Sequence, residues 1–128
     1  MVDKLSISVI TCSMNRHEYI KENLISTKRI NHLKEHVIVD WSSQKKILDD
    51  KSKYNKKLKI VRVENEKDWW LSRAYNFAAY FAESDFILKL DVDTLAISEN
   101  INNLDLEKID YLNFTIDGNG FGNFLIKK

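Results

Sequence analysis

The chain has 128 residues, 44% hydrophobic and 30% charged, which suits one globular domain with its own core and excludes a disordered segment. Twenty basic and nineteen acidic side chains leave a formal charge of +1, which excludes a general nucleic-acid binder. The one cysteine, Cys12, cannot form an internal disulfide and suits a reducing, cytoplasmic compartment; no signal peptide is read at the N-terminus, and no apolar run approaches the ~20 residues of a membrane span.

Residues 5–10 are apolar with β-branched members and predict a first strand. Asn15 and Arg16 lead into a predicted helix over 17–29, with Tyr19, Ile20, Leu24 and Ile25 at helical spacing. Val37-Ile38-Val39 predicts a second buried strand ending at Asp40, followed by a polar region with a helix around 44–52. Residues 58–63 alternate apolar and basic side chains and predict a third strand. Asp68 is the expected N-cap of a helix reaching about 82, with Trp70, Ala74, Phe77, Ala78 and Phe81 on one stripe and Arg73, Asn76 and Tyr80 off its centre. The run Phe86-Ile87-Leu88-Lys89-Leu90 predicts a fourth buried strand. Residues 111–116 and 124–127 predict two more, joined by a hairpin turn over Asp117-Gly118-Asn119-Gly120-Phe121-Gly122. A dinucleotide-binding glycine loop would instead come after the first strand and open a helix. His17, His32 and His36 have no metal-ligand spacing and are expected at the surface. The lysines at 51, 53, 56, 57 and 59 form a basic cluster, read as a solvated face or as a peripheral contact with an anionic membrane.

This alternation predicts an α/β fold, a mostly parallel sheet flanked by helices, with a short C-terminal hairpin-like addition. Ligands of such sheets collect at the carboxyl ends of the strands. Here those ends carry Thr11, Cys12, Ser13, Met14, Asn15 and Arg16, then Asp40, Trp41, Ser42 and Ser43, then Glu64 and Asn65, and last Asp91-Val92-Asp93. Two carboxylates flanking one residue can share a hard divalent cation and its phosphate ligand. The same spacing also suits acids that merely end a strand and cap the next element.

Four segments, in order, resemble family 2 nucleotide-sugar glycosyltransferases. Residues Ile7-Ser8-Val9-Ile10 running into Thr11-Cys12-Ser13-Met14-Asn15-Arg16 are similar to that family's opening strand and loop. Val37-Ile38-Val39-Asp40-Trp41-Ser42-Ser43 is similar to its second strand, Ser72-Arg73-Ala74-Tyr75-Asn76 to its helix before the metal motif, and Leu88-Lys89-Leu90-Asp91-Val92-Asp93 to the metal motif itself. The resemblance implies a Rossmann-like, type A glycosyltransferase fold and transfer of a sugar from a nucleoside diphosphate donor, UDP-linked, to a glycan or other hydroxyl acceptor. By the same resemblance Cys12, Ser13 and Met14 border base and ribose, Asp40 and Trp41 match the acidic pair near the base, and Arg73 and Asn76 match positions near the diphosphate. Asp91 and Asp93 match the Mn2+ or Mg2+ site, and Val92 presents backbone to the ribose. Thr11 and Arg16 belong to the same loop.

Two departures stand out. Trp41 replaces a second aspartate that would accept the base's ring N–H, which tryptophan cannot do; it either stacks on the base or packs in the core. Met14 stands where the family often has tyrosine. No general base matches: beyond Asp93 the acids are Glu99, Asp105, Glu107, Asp110 and Asp117. Residues 1–128 are therefore expected to form a single donor-binding domain, with the acceptor region absent or supplied by another chain. An open sheet edge would favour self-association. Two other readings remain: a non-catalytic nucleotide-sugar binding module, and a nucleotidyltransferase, which would need a glycine- and arginine-rich loop after the first strand.

Overall fold

The computed structural model describes residues 4–116 and 119–128. Its elements are β1 (Ile7–Ser13), α1 (Ile20–Thr27), β2 (Leu33–Trp41), β3 (Leu58–Val63), α2 (Leu71–Phe81), β4 (Phe86–Lys89), α3 (Ser98–Asn102), β5 (Tyr111–Ile116) and β6 (Asn119–Lys127). The six strands form one sheet in the order β3-β2-β1-β4-β6-β5. The first four run parallel, β6 pairs antiparallel with β4, and β5 pairs antiparallel with β6. The predicted α/β class and its hairpin-like addition are present.

β1 lies at the centre and is buried along all seven residues, Ser8, Thr11 and Ser13 included, which is why it shows no clean alternation of apolar and polar side chains. Alternation still assigns its side chains to two faces. On one face Ile10 and Cys12 pack with Val37, Val39, Trp41 and Ile87 against Ala74 and Ala78 of α2. On the other, Ile38 meets Ile20 and Leu24 of α1, while Val9, Phe86 and Leu88 meet Ile101 of α3. Helices thus cover both faces, as a parallel sheet requires.

Several expectations shift. The helix expected around 44–52 is only a 3-10 turn at Asp49–Lys53, because the preceding segment is held around the Asp40 carboxylate, which accepts from the Ser43 and Ile47 N–H groups. Asp68 does not cap α2: Trp70 precedes the helix in extended backbone, with no side-chain cap bond. Trp70 accordingly leaves the buried stripe and is 58% exposed. The glycine-rich connection falls partly outside the described residues, at 117 and 118, whereas Asn119 already belongs to β6. Phe114 pairs with Asn123 and Thr115 with Gly120, so two residues of β6 are extra at that point, and Gly122 takes φ 76° in this bulge. Among the described residues no helix is long and apolar enough to cross a membrane.

His36 is the largest departure from a surface reading. It is completely buried on β2, with Nε2 2.9 Å from Thr11 Oγ1 and Nδ1 2.7 Å from Thr27 Oγ1. Burial pulls its pKa down to about 3. The unfolded imidazole takes up a proton below about pH 6.5 while the folded one does not, so stability must fall as pH drops from about 6.5 towards 3. In denaturant titrations this group should lower stability by about 2 kcal/mol between pH 7 and pH 5. The slope should flatten in His36→Gln; a parent protein equally stable at both pH values would contradict it.

Candidate functional site

At the carboxyl ends of β1 and β4 the sheet opens into a cleft of about 340 Å³. β1 and the loop after it contribute Cys12, Met14 and Arg16; the entry to α2 contributes Trp69, Leu71 and Tyr75; β4 and its turn contribute Lys89, Asp91, Val92 and Asp93; the β6 bulge contributes Gly122.

The acidic turn is built from the inside. Val92 is buried among Ile20, Leu24, Ile38 and Ile47, so the residues on either side of it turn outward. The Thr94 N–H donates to the Asp91 carbonyl at 3.0 Å, closing the turn. Asn23 of α1 donates from Nδ2 to the carbonyls of both Asp91 (3.1 Å) and Thr94 (3.0 Å). From the opposite side the Asp91 N–H donates to Asn123 Oδ1 at 2.7 Å. The turn's backbone is therefore fixed from α1 and from β6, while the two carboxylates keep 30% and 48% of their side-chain surface.

Each carboxylate faces one cation. Lys89 Nζ donates to Asp91 Oδ1 at 2.6 Å, and Arg16 Nη2 donates to Asp93 Oδ2 at 3.3 Å. The Arg16 guanidinium also lies over the Tyr19 ring, 4.7 Å from its centroid. Tyr75 joins β1 to β4: its hydroxyl accepts from the Cys12 N–H and donates to the Leu90 carbonyl, each at 3.2 Å. Burial pushes its phenol well above the usual range. Burial likewise raises the Cys12 thiol, more than Lys89 lowers it, which makes this sulfur a packing group and not a nucleophile.

Of the residues singled out from the sequence, Cys12, Met14, Arg16, Asp91, Val92 and Asp93 come together in this cleft. The others do not line it. Thr11 is on the opposite face of β1, bonded to His36, and Ser13 shares that parity, buried with no partner for its hydroxyl among the described residues. Asp40 is fully buried and accepts from the N–H groups of Ser43 (3.2 Å) and Ile47 (3.0 Å) and from Arg62 Nη1 (2.8 Å). Burial raises its pKa, but these bonds outweigh that and hold the carboxyl below its ordinary value. Asp40 thus organises the loop after β2. Trp41 packs in the core, with Nε1 donating to the Asp68 carbonyl at 3.1 Å. Arg73 pairs with Glu66 at 3.2 Å, and Asn76 is on the exposed side of α2.

The cleft also holds residues that the sequence pattern does not single out: Lys89, Tyr75, Trp69 and Gly122, with Asn23 and Asn123 behind the turn. Lys89 does carry a signal, since it is the one charge in an otherwise apolar strand, where lysine is rare.

The donor set fits a hard divalent cation. Asp91 and Asp93 present carboxylate oxygen from a fixed turn, and Mn2+ or Mg2+ bound by one or two carboxylates completes its shell with phosphate and water. No third ligand is at hand: no group of three or more His, Cys, Asp or Glu poised for a metal occurs among the described residues.

Comparison with known proteins bears on family and fold. The family described as "Glycosyl transferase family 2" matches residues 8–112. S. aureus TarS 1–349 is similar at 28% identity and TM-score 0.73 over 91% of this chain and 38% of its own, and its complex with UDP at 26% and 0.68 over the same shares. The mannosyltransferase PcManGT of Pyrobaculum calidifontis, in complex with GDP-Man and Mn2+, shares the fold at 23% identity and TM-score 0.58, over 78% of this chain and 31% of its own. The chain thus spans between 31% and 38% of the length of these structures. No curated protein matches the sequence.

Proposed function

This chain belongs to glycosyl transferase family 2, and from that premise we propose that it is a single nucleotide-sugar-binding domain, working in a reducing, cytoplasmic compartment. It binds a UDP-linked sugar with Mn2+ or Mg2+ for transfer to an acceptor hydroxyl. The observation that carries the reading is the Asp91-Val92-Asp93 turn, anchored through buried Val92 and lining the cleft that also receives Arg16. The UDP complex of TarS supports UDP as the nucleotide.

Asp91 and Asp93 would hold the ion, which when bound supplies Lewis-acid stabilisation of the charge that gathers on the departing diphosphate. Arg16, then free of Asp93, can donate to a phosphate oxygen. Met14 and Trp69 offer apolar and aromatic surface for base or sugar. Tyr75 keeps β1 and β4 at a fixed spacing, so that the loop and the turn face one another.

One observation favours a second reading, a binding module without turnover. Among the described residues the acids lining the cleft are Asp91 and Asp93, both assigned to the ion, which leaves none of these lining residues as general base towards an acceptor hydroxyl. Calorimetric titration with UDP, GDP and ADP, with Mn2+ and with EDTA, tests the binding they share: Mn2+ should strengthen UDP binding at least tenfold over the others. Indifference to all three nucleotides would overturn both readings. Transfer or hydrolysis of the donor then separates an enzyme from a binder.

A further inference from the structure

Lys89 is only 7% exposed. An ammonium that dry is costly to keep unless its donors are used. One of the three goes to Asp91 Oδ1 at 2.6 Å, and the face of the Tyr75 ring lies 4.5 Å from the nitrogen. No second hydrogen-bond acceptor for it occurs among the described residues. The packing of β4 does not call for a charge here, since its neighbours Ile87 and Leu88 fill the core on both faces. Alternation turns Lys89 towards α2 and into the cleft between Cys12 and Asp91. Gly122 leaves the approach open: a Cβ placed there would stand 3.6 Å from Nζ, and its φ of 76° disfavours a side chain.

We propose that Lys89 is a resident cation for the donor's diphosphate. It exchanges Asp91 for a phosphate oxygen as the nucleotide enters, and so releases Asp91 to the divalent ion. This rests on the cleft being the donor site. A single exchange has two consequences. Nucleoside diphosphate binding retains a component that needs no metal, and without nucleotide Lys89 competes with the metal for Asp91. Metal and nucleotide therefore strengthen each other's binding, by the same factor in each direction.

The test uses the whole chain and two binding measurements. In EDTA, calorimetry should find UDP binding at least tenfold weaker in Lys89→Met, with uridine binding unchanged. Without nucleotide, electron paramagnetic resonance should find Mn2+ bound severalfold tighter by that variant. A lysine that only filled space would not weaken UDP binding while sparing uridine. One that only neutralised Asp91 would have no effect once Asp91→Asn removes that charge, so Lys89→Met should weaken UDP binding in the Asp91→Asn background as well. Equal UDP affinity of parent and variant in EDTA, or Mn2+ bound no tighter, overturns the proposal. Should Lys89→Met fail to fold, Asp91→Asn serves: with the competitor gone, UDP in EDTA should bind at least as well as to the parent, and weaker binding overturns it. A parent that binds UDP only with Mn2+ also overturns this proposal while leaving the donor-site reading intact. A parent that binds UDP under neither condition overturns both.

Discussion

Asp93→Ala is expected to lower sugar transfer from a UDP-linked donor by about three orders of magnitude while leaving the fold in place. The size reflects the step that the acid serves: charge accumulates on the leaving diphosphate, and losing a group that stabilises such charge typically costs about 10² to 10³-fold in rate. The intact fold reflects the geometry. Asp93 is half-exposed, and among the described residues its carboxylate makes one hydrogen bond, from Arg16 at 3.3 Å, an exposed pair worth at most about 1 kcal/mol. Asp91 differs, because its removal also strands Lys89 in a nearly dry position. Donor turnover, Mn2+-dependent UDP affinity and urea unfolding of Asp93→Ala together make the check. If the chain binds without turnover, the same variant should erase the gain in UDP affinity that Mn2+ brings. Activity or metal dependence within a factor of ten of the parent would remove Asp93 from the site.

Asp40→Ala is expected to destabilise the domain by about 3 kcal/mol, the scale on which breaking a buried, hydrogen-bonded ion pair is felt. Two backbone N–H groups, at Ser43 and Ile47, lose their acceptor, and Arg62 keeps only its exposed bond to Glu64 and its bond to the Ser43 carbonyl. The loop after β2 should loosen with it, because Asn15 and Gln44 are tied to the same segment through Ser43 Oγ and Asn15 Oδ1. Urea unfolding measures the loss. A variant within about 0.5 kcal/mol of the parent that nevertheless bound UDP tenfold more weakly would return Asp40 to the base-binding role implied by family resemblance.

The two acids illustrate how much of the site is legible in the sequence. At Asp91-Val92-Asp93 the placement follows from the pattern: the apolar residue between two acids at a strand end is buried and leaves both carboxylates part-exposed. Asp40 also ends a strand, yet strand parity places it on the α1 face, away from the cleft. Parity can be counted from the sequence once Cys12 is known to face α2, but which face carries the cleft cannot. Trp41 has two open roles in the sequence, and core packing against α2 decides between them. Arg73 and Asn76 match a family segment in sequence, but the helix turns Arg73 to Glu66 and Asn76 to solvent, while their neighbour Tyr75 enters the cleft. Lys89 reads as part of an apolar run, and His36 as a surface group. Both are buried charge-bearing types whose partners, Asp91 and two threonines, are fixed by strand pairing and helix packing rather than by local pattern. The order of the strands and the bulge at Gly122 depend on long-range pairing of the same kind.

A crystal of the protein grown with UDP and Mn2+, with the anomalous signal of manganese measured, tests the assignment most directly. A manganese peak is expected within about 2.2 Å of a carboxylate oxygen of Asp91 or Asp93, bridged to the diphosphate, with Arg16 no longer paired to Asp93. Nucleotide bound elsewhere, or a cleft in which Asp91 and Asp93 still hold Lys89 and Arg16 with no manganese between them, would contradict it.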